Sequence, residues 1–176
     1  MKNSMREVVI DTETTGLSPS DGNRIIEIAA VEILDHSTIG GKYHCYLNPE
    51  MRMDEDIVCI HGITNEFLWD KPTFLQIVDG FLSFLGQSTF VAHNAPLDLE
   101  FFNAELSRIG YPAIDQGRNI VDTLAICRDL FPGQHNNLDS LIERLGIQIE
   151  GRSSHGALLD AELMAEVYLQ LKMEFI

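Results

Sequence analysis

Apolar runs and apolar stripes alternate along this chain, and their period changes near its middle. Val8-Val9-Ile10 is a short continuous apolar run, as in a buried strand, and it is expected to end in a polar turn over residues 11–16. Residues 24–34 (RIIEIAAVEIL) are rich in β-branched side chains and predict a second strand. Residues 43–47 predict a third, ended by Asn48-Pro49. Over 72–85 the period becomes helical: Phe74, Ile77, Val78, Phe81, Leu82 and Leu85 form one stripe, and Pro72 suits a first turn. The stripe of Phe74, Phe81 and Phe84, with Phe90, reads as core rather than a base-stacking platform, because its spacing is helical and apolar. A strand over 89–92, a helix over 96–109 closed at Gly110, and a strand over 119–121 follow. Asp122 is placed to cap a helix over 123–130 that stops before Pro132. Helices are expected again over 137–145, ending at Gly146, and over 157–172.

Three strands in a meander, then alternating helix and strand, predict an α/β fold with a mixed central sheet flanked by helices. No linker-like stretch or internal repeat interrupts the 176 residues, so one domain over 1–176 is expected.

Composition sharpens this picture. With 45% hydrophobic and 22% charged residues the chain reads as globular rather than disordered. Cys45, Cys59 and Cys127 are odd in number and form no CxxC, which argues against a disulfide scaffold or zinc ribbon. They read as small, partly buried hydrophobes in a reducing compartment. The apolar run at Val8–Ile10 meets Asp11 at once, unlike a signal peptide, and the uncharged stretch 80–97 is too polar to span a bilayer. A cytoplasmic protein with no membrane partner is expected.

Net charge is −15, from 12 basic and 27 acidic residues. So acidic a chain repels anionic membranes and long nucleic acids. Any activity on nucleic acid must rest on a local site, on bound cations, or on a partner.

Candidate chemistry lies in the acids that follow the strands. Asp11 and Glu13 stand two apart, a spacing that puts both carboxylates on one side of extended chain. Asp98 falls in the first turn of the helix after the second-half strand, and Asp160 early in the last helix, five residues after His155. Strand ends and helix starts are where α/β folds place their sites. Four converging carboxylates would repel one another unless cations intervened, and oxygen-rich clusters suit Mg²⁺ or Mn²⁺. Two such ions would clamp a phosphate, and His155 could take a proton from the attacking water. Taken singly, Asp98 reads equally as a helix-dipole partner, and Asp122 as a cap.

These residues resemble the motifs of a known family. Val9-Ile10-Asp11-Thr12-Glu13-Thr14-Thr15-Gly16 is similar to the first motif of the DnaQ-like, or DEDDh, 3′–5′ exonucleases. His93-Asn94-Ala95-Pro96-Leu97-Asp98 with Phe101-Phe102 is similar to the second, and His155-Gly156-Ala157-Leu158-Leu159-Asp160-Ala161 to the third. The match runs from about residue 6 to 171. Within the family, His61-Gly62-Ile63, Lys71-Pro72-Thr73-Phe74 and Asn137-Leu138-Asp139 resemble the proofreading branch, the epsilon subunits of bacterial DNA polymerase III.

The resemblance implies a ribonuclease H-like fold and two divalent ions, Mg²⁺ or Mn²⁺. Asp11, Glu13 and Asp160 would bind metal, Asp98 would act directly or through water, and His155 would be the general base. It implies that His61, and by position Asp56, contact the terminal nucleotide. Thr14, Thr15 and Leu17 are placed to touch the last base and sugar, and Asn94 either to bond substrate or to brace its loop. The implied substrate is a single-stranded or frayed 3′ end of DNA, and the implied partner is the catalytic alpha subunit of DNA polymerase III and its core complex. That branch usually continues into a polymerase-binding tail. The chain ends at Ile176, so a nuclease domain without that tail is expected. RNA-trimming exoribonucleases of the oligoribonuclease or ribonuclease T type share the same acids and His. A non-catalytic module of this fold would have lost at least one of them, and all five are present.

Overall fold

The computed structural model describes residues 6–35, 38–148 and 156–175. Its centre is β1 (Arg6–Thr14), in a five-stranded sheet of order β3-β2-β1-β4-β5. β2 (Ile25–Leu34) and β3 (Thr38–Tyr46) complete an antiparallel meander, and β4 (Thr89–Ala92) and β5 (Ile120–Asp122) add in parallel. This is the mixed sheet that the sequence predicts. Helices α1 (Glu55–His61) and α2 (Asn65–Leu68) follow the meander. Then come α3 (Phe74–Leu85), α4 (Ala95–Arg108), α5 (Thr123–Leu130), α6 (Leu138–Leu145) and α7 (Ala157–Glu174).

Alternation along β1 divides the molecule. Val8 and Ile10 face α3 and α4, in a core with Phe81, Phe90, Phe101 and Phe102. Phe81 and Phe102 stack at 4.9 Å. Phe74 and Phe90 are buried with them and Phe84 packs against them, as the helical stripe predicts. Val9 faces the opposite way, in a core with Ala29, Val31, Cys127, Leu141, Met164 and Val167 from β2, α5, α6 and α7. Each such fully buried large side chain contributes about 1.5–3 kcal/mol of transfer free energy.

Several boundaries differ from the sequence expectations. β1 does not stop at Ile10: Asp11 and Glu13 stay in register with Ala29 and Glu27, so the acidic segment is strand and the turn comes after Thr14. The β2 backbone supplies the ladder, and a polar side chain is no obstacle at a strand end that opens toward a cleft. β3 begins at Thr38 rather than at residue 43, with the Gly41 N–H donating to Glu32 Oε2 at 2.9 Å. α1 and α2 carry too few turns to show a period. They are set by local caps, Gly62 in the left-handed region (φ +76) and the Thr64 hydroxyl accepting from the Phe67 N–H. Pro72 lies outside α3, whose N-cap is Thr73 in a capping box with Gln76. Cys127 is buried and Cys45 half-buried, but Cys59 is exposed on α1.

Polar clamps fix α7 across the sheet. Near its end, Lys172 Nζ and the Tyr168 hydroxyl both donate to the buried Glu7 carboxylate of β1. At its start, the Ala157 N–H donates to Glu27 of β2 (3.2 Å). On the other side, Arg24 forms a two-pronged pair with Glu105 of α4 (2.6 and 2.8 Å), tying the loop after β1 to that helix.

Candidate active site

β1 and α7 bring the acids together. Asp11 and Glu13 leave the α7-facing side of β1, and Asp160 lies in the first turn of α7. One carboxylate oxygen from each of the three lies within 4.8 Å of the others. At that separation two unit charges repel by about 3.5 kcal/mol at an effective dielectric near 20. The carboxyls respond: burial pushes Asp11 well above the ordinary carboxylate range, and Asp98, Glu13, Asp160 and Glu27 push it further. Glu13 rises to about 7, by burial and then by Glu27, Asp160 and Asp98. Among the described residues, the charges that raise these two groups all belong to other carboxylates. Three converging hard oxygen donors that repel one another fit a hard divalent cation, and they fit no apolar ligand.

Asp98 reaches the cluster from a different helix and acts on Asp11 by its charge, without supplying one of the three converging oxygens. It projects from the first turn of α4 and accepts from the Thr12 hydroxyl (2.9 Å), and Thr12 points to the other side of β1 from Asp11 and Glu13. Burial raises its carboxyl to about 7, against the Thr12 hydrogen bond, which lowers it. His155 lies outside the described residues.

The structure gives the remaining candidates distinct settings. His61 ends α1, is 7% exposed, and its Nδ1 accepts from the Ile63 N–H (3.0 Å). Burial lowers its pKa, so the neutral ring carries its proton on Nε2, a buried atom with no hydrogen-bond partner among the described residues. His61 lines a cleft of about 330 Å³ with Glu27, Tyr46, Phe67 and Gly156. Asp56 is exposed in the first turn of α1. Thr14 donates to the Gly16 carbonyl, and Thr15 is buried and braced by Asn23 and the Arg24 N–H, so both hold the turn. Leu17, at its tip, is 86% exposed.

Asn94 adopts the left-handed conformation (φ +82), and its N–H donates to Asp122 Oδ1, which also accepts from the Leu124 N–H. Asp122 is therefore a cap, as expected, and also pins the Asn94 turn. The sequence reading missed two contributors, Thr12 and Glu27. Glu27 is 1% exposed and sits opposite Glu13 in the ladder. A charged residue inside the apolar run IIEIAAV was the available signal.

A mixed sheet whose central strand and last helix gather three carboxylates at one strand end defines a metal-dependent phosphodiesterase of the ribonuclease H-like class. Residues 8–168 match the exonuclease family RNase_T. The DNA polymerase III subunit epsilon of Rickettsia typhi is 48% identical over 170 residues, covering 96% of this chain and 74% of that protein. The subunit of the same name from Escherichia coli is 41% identical over 172 residues, covering 94% and 71%. Among solved structures, Exonuclease X in complex with 5′ overhanging duplex DNA superposes with a TM-score of 0.75 at 24% identity, covering 95% of this chain and 92% of that one. The nuclease domain of 3′hExo, a DEDDh family member bound to rAMP, superposes at 0.83 with 18% identity, covering 99% and 94%. The chain belongs to this family and is a DnaQ-like 3′–5′ exonuclease. Among the described residues no helix is long and apolar enough to cross a membrane.

Proposed function

We propose that this chain is the proofreading exonuclease of a bacterial replicative polymerase, acting in the cytoplasm on single-stranded or frayed 3′ ends of DNA and releasing nucleoside 5′-monophosphates. The convergence of Asp11, Glu13 and Asp160 within 4.8 Å carries this reading. The relatives named DNA polymerase III subunit epsilon support the replicative context, with the alpha subunit and the core complex as partners.

Asp11, Glu13 and Asp160 would hold the metal, with Asp98 stationed behind them on Thr12. Bound Mg²⁺ or Mn²⁺, as a pair, would neutralise the scissile phosphate and favour both attack by water and departure of the 3′ oxygen. His155, in the segment before α7, would remove the proton from the attacking water. His61 Nε2–H, which has no acceptor among the described residues, would donate to the terminal nucleotide in the cleft it lines. Asp56 and the Thr14–Thr15 turn flank that nucleotide, and the Asn94 turn braces the side carrying Asp98.

A site that grips only the last nucleotides needs little basic surface, which reconciles the activity with a net charge of −15. A polymerase partner would supply local concentration.

The deciding experiment follows a 5′-labelled single-stranded DNA and the matching RNA, with Mg²⁺, with Mn²⁺ and with EDTA. Stepwise shortening of DNA from the 3′ end, abolished by EDTA, is expected. Preference for RNA would transfer the protein to the exoribonuclease branch, and activity in EDTA would overturn the metal assignment.

A further inference from the structure

We propose that Glu27 is a positioning residue: from β2 it caps the first turn of α7 and thereby sets Asp160 against Asp11 and Glu13. The inference rests on the nuclease reading above and concerns a side chain outside the family motifs quoted for this chain.

α7 starts without a cap of its own. Its N-cap is Gly156, which has no side chain to accept from the free N–H groups of the first turn. Glu27 fills that role from across the sheet, its Oε2 accepting from the Ala157 N–H at 3.2 Å. A carboxylate at this end of a helix also meets the positive pole of the helix dipole. The other oxygen is fixed independently: His44 Nε2 donates to Oε1 at 2.7 Å. His44 lies on β3, so Glu27 joins β2, β3 and α7 at one buried point.

Asp160 is three residues past Ala157, and its own N–H bonds to the Gly156 carbonyl, so it belongs to the turn that Glu27 caps. Glu27 is not in the group of acids whose oxygens converge. It also sits beside Glu13 in the ladder, where its charge adds to the repulsion there. A buried carboxylate in so unfavourable a place is explained by the two donors it gathers, the Ala157 N–H and His44 Nε2.

Removing a partner that orients metal-site residues typically costs about 10–100-fold in activity or metal affinity. Glu27→Ala should therefore lower kcat by about 10–100-fold, leave the KM for a 5′-labelled DNA strand within about threefold, and weaken Mn²⁺ binding measured by calorimetry. Hydrogen exchange at the first-turn amides of α7 should accelerate. Glu27→Gln keeps an acceptor for Ala157 without the charge, and should recover most of the kcat and the exchange protection.

Glu27→Gln as impaired as Glu27→Ala would overturn the proposal, since Glu27 would then act through its charge. Wild-type kcat in a folded Glu27→Ala would overturn it as well. If Glu27→Ala does not fold, Glu27→Gln decides by the same measurements: recovered kcat and protection support the cap, and lost kcat with intact protection refutes it. An inactive parent enzyme would instead refute the nuclease reading on which the proposal rests.

Discussion

Replacing Asp11 by Asn removes one negative charge from the middle of the acid cluster and keeps the shape of the side chain. This variant should be inactive when metal is supplied, and in metal-free solution it should be more stable than its parent. Oxygens within 4.8 Å repel by about 3.5 kcal/mol per ionised pair at an effective dielectric near 20. Asp11 faces two such partners, and Asp98 and Glu27 act on it as well, Asp98 the most strongly of the four acids. The full sum is never reached, because the cluster takes up protons instead. Glu13 rises from 4.5 to about 7, which at about 1.4 kcal/mol per pKa unit corresponds to about 3 kcal/mol of stability lost above that range. The Asn variant should regain about 2–3 kcal/mol, or about 5–10 °C in Tm for a protein of this size.

The pH dependence follows from linkage. Carboxyls raised in the native state hold protons there that the unfolded chain has released. Parent stability is therefore fully present below about pH 4 and falls as pH rises through about 7. The advantage of Asp11→Asn should be largest near pH 8 and fade toward pH 4. Scanning calorimetry of EDTA-treated protein at several pH values measures both, and added Mn²⁺ should raise the parent's Tm more than the variant's. An Asn variant no more stable than its parent near pH 8, or a gain independent of pH, would refute the picture of mutually repelling acids.

Arg24→Leu leaves Glu105, 1% exposed, without its two-pronged partner; a loss of about 3–5 kcal/mol is expected in chemical denaturation, and a loss under about 1 kcal/mol would show that Arg108 or water suffices. His155→Ala should lower kcat about 10²–10⁴-fold while leaving DNA affinity intact, as a general base would; an effect on KM alone, in steady-state assays on a labelled strand, would assign His155 to binding. Phe102→Ala opens a cavity beside Phe81, Phe74 and Phe90 and should cost about 3–5 kcal/mol by denaturant titration; a cost below about 1 kcal/mol would mean that the core collapses to fill it.

Long periodic segments were legible from residue order alone. The stripe of α3 and the β-branched run of β2 declare their period within one element, and Asp11 and Glu13 share a side because extended chain alternates. The quoted motifs also named Asp160 and Asp98 as members of one site. The sequence alone did not show how those acids divide. Sheet register set Glu27 opposite Glu13, and strand alternation turned Thr12 to the other side of β1, where its hydroxyl holds Asp98 close enough for that charge to act on Asp11. The short helices α1 and α2 stayed invisible because two turns are too few to establish a period, and their boundaries rest on caps rather than on a stripe. Asp160 reaches Asp11 only because α7 is clamped across β1 and β2, at Glu7 near its end and at Glu27 near its start. Those contacts join residues far apart in the chain, and distance along the chain says nothing of which side of a sheet a helix will cover.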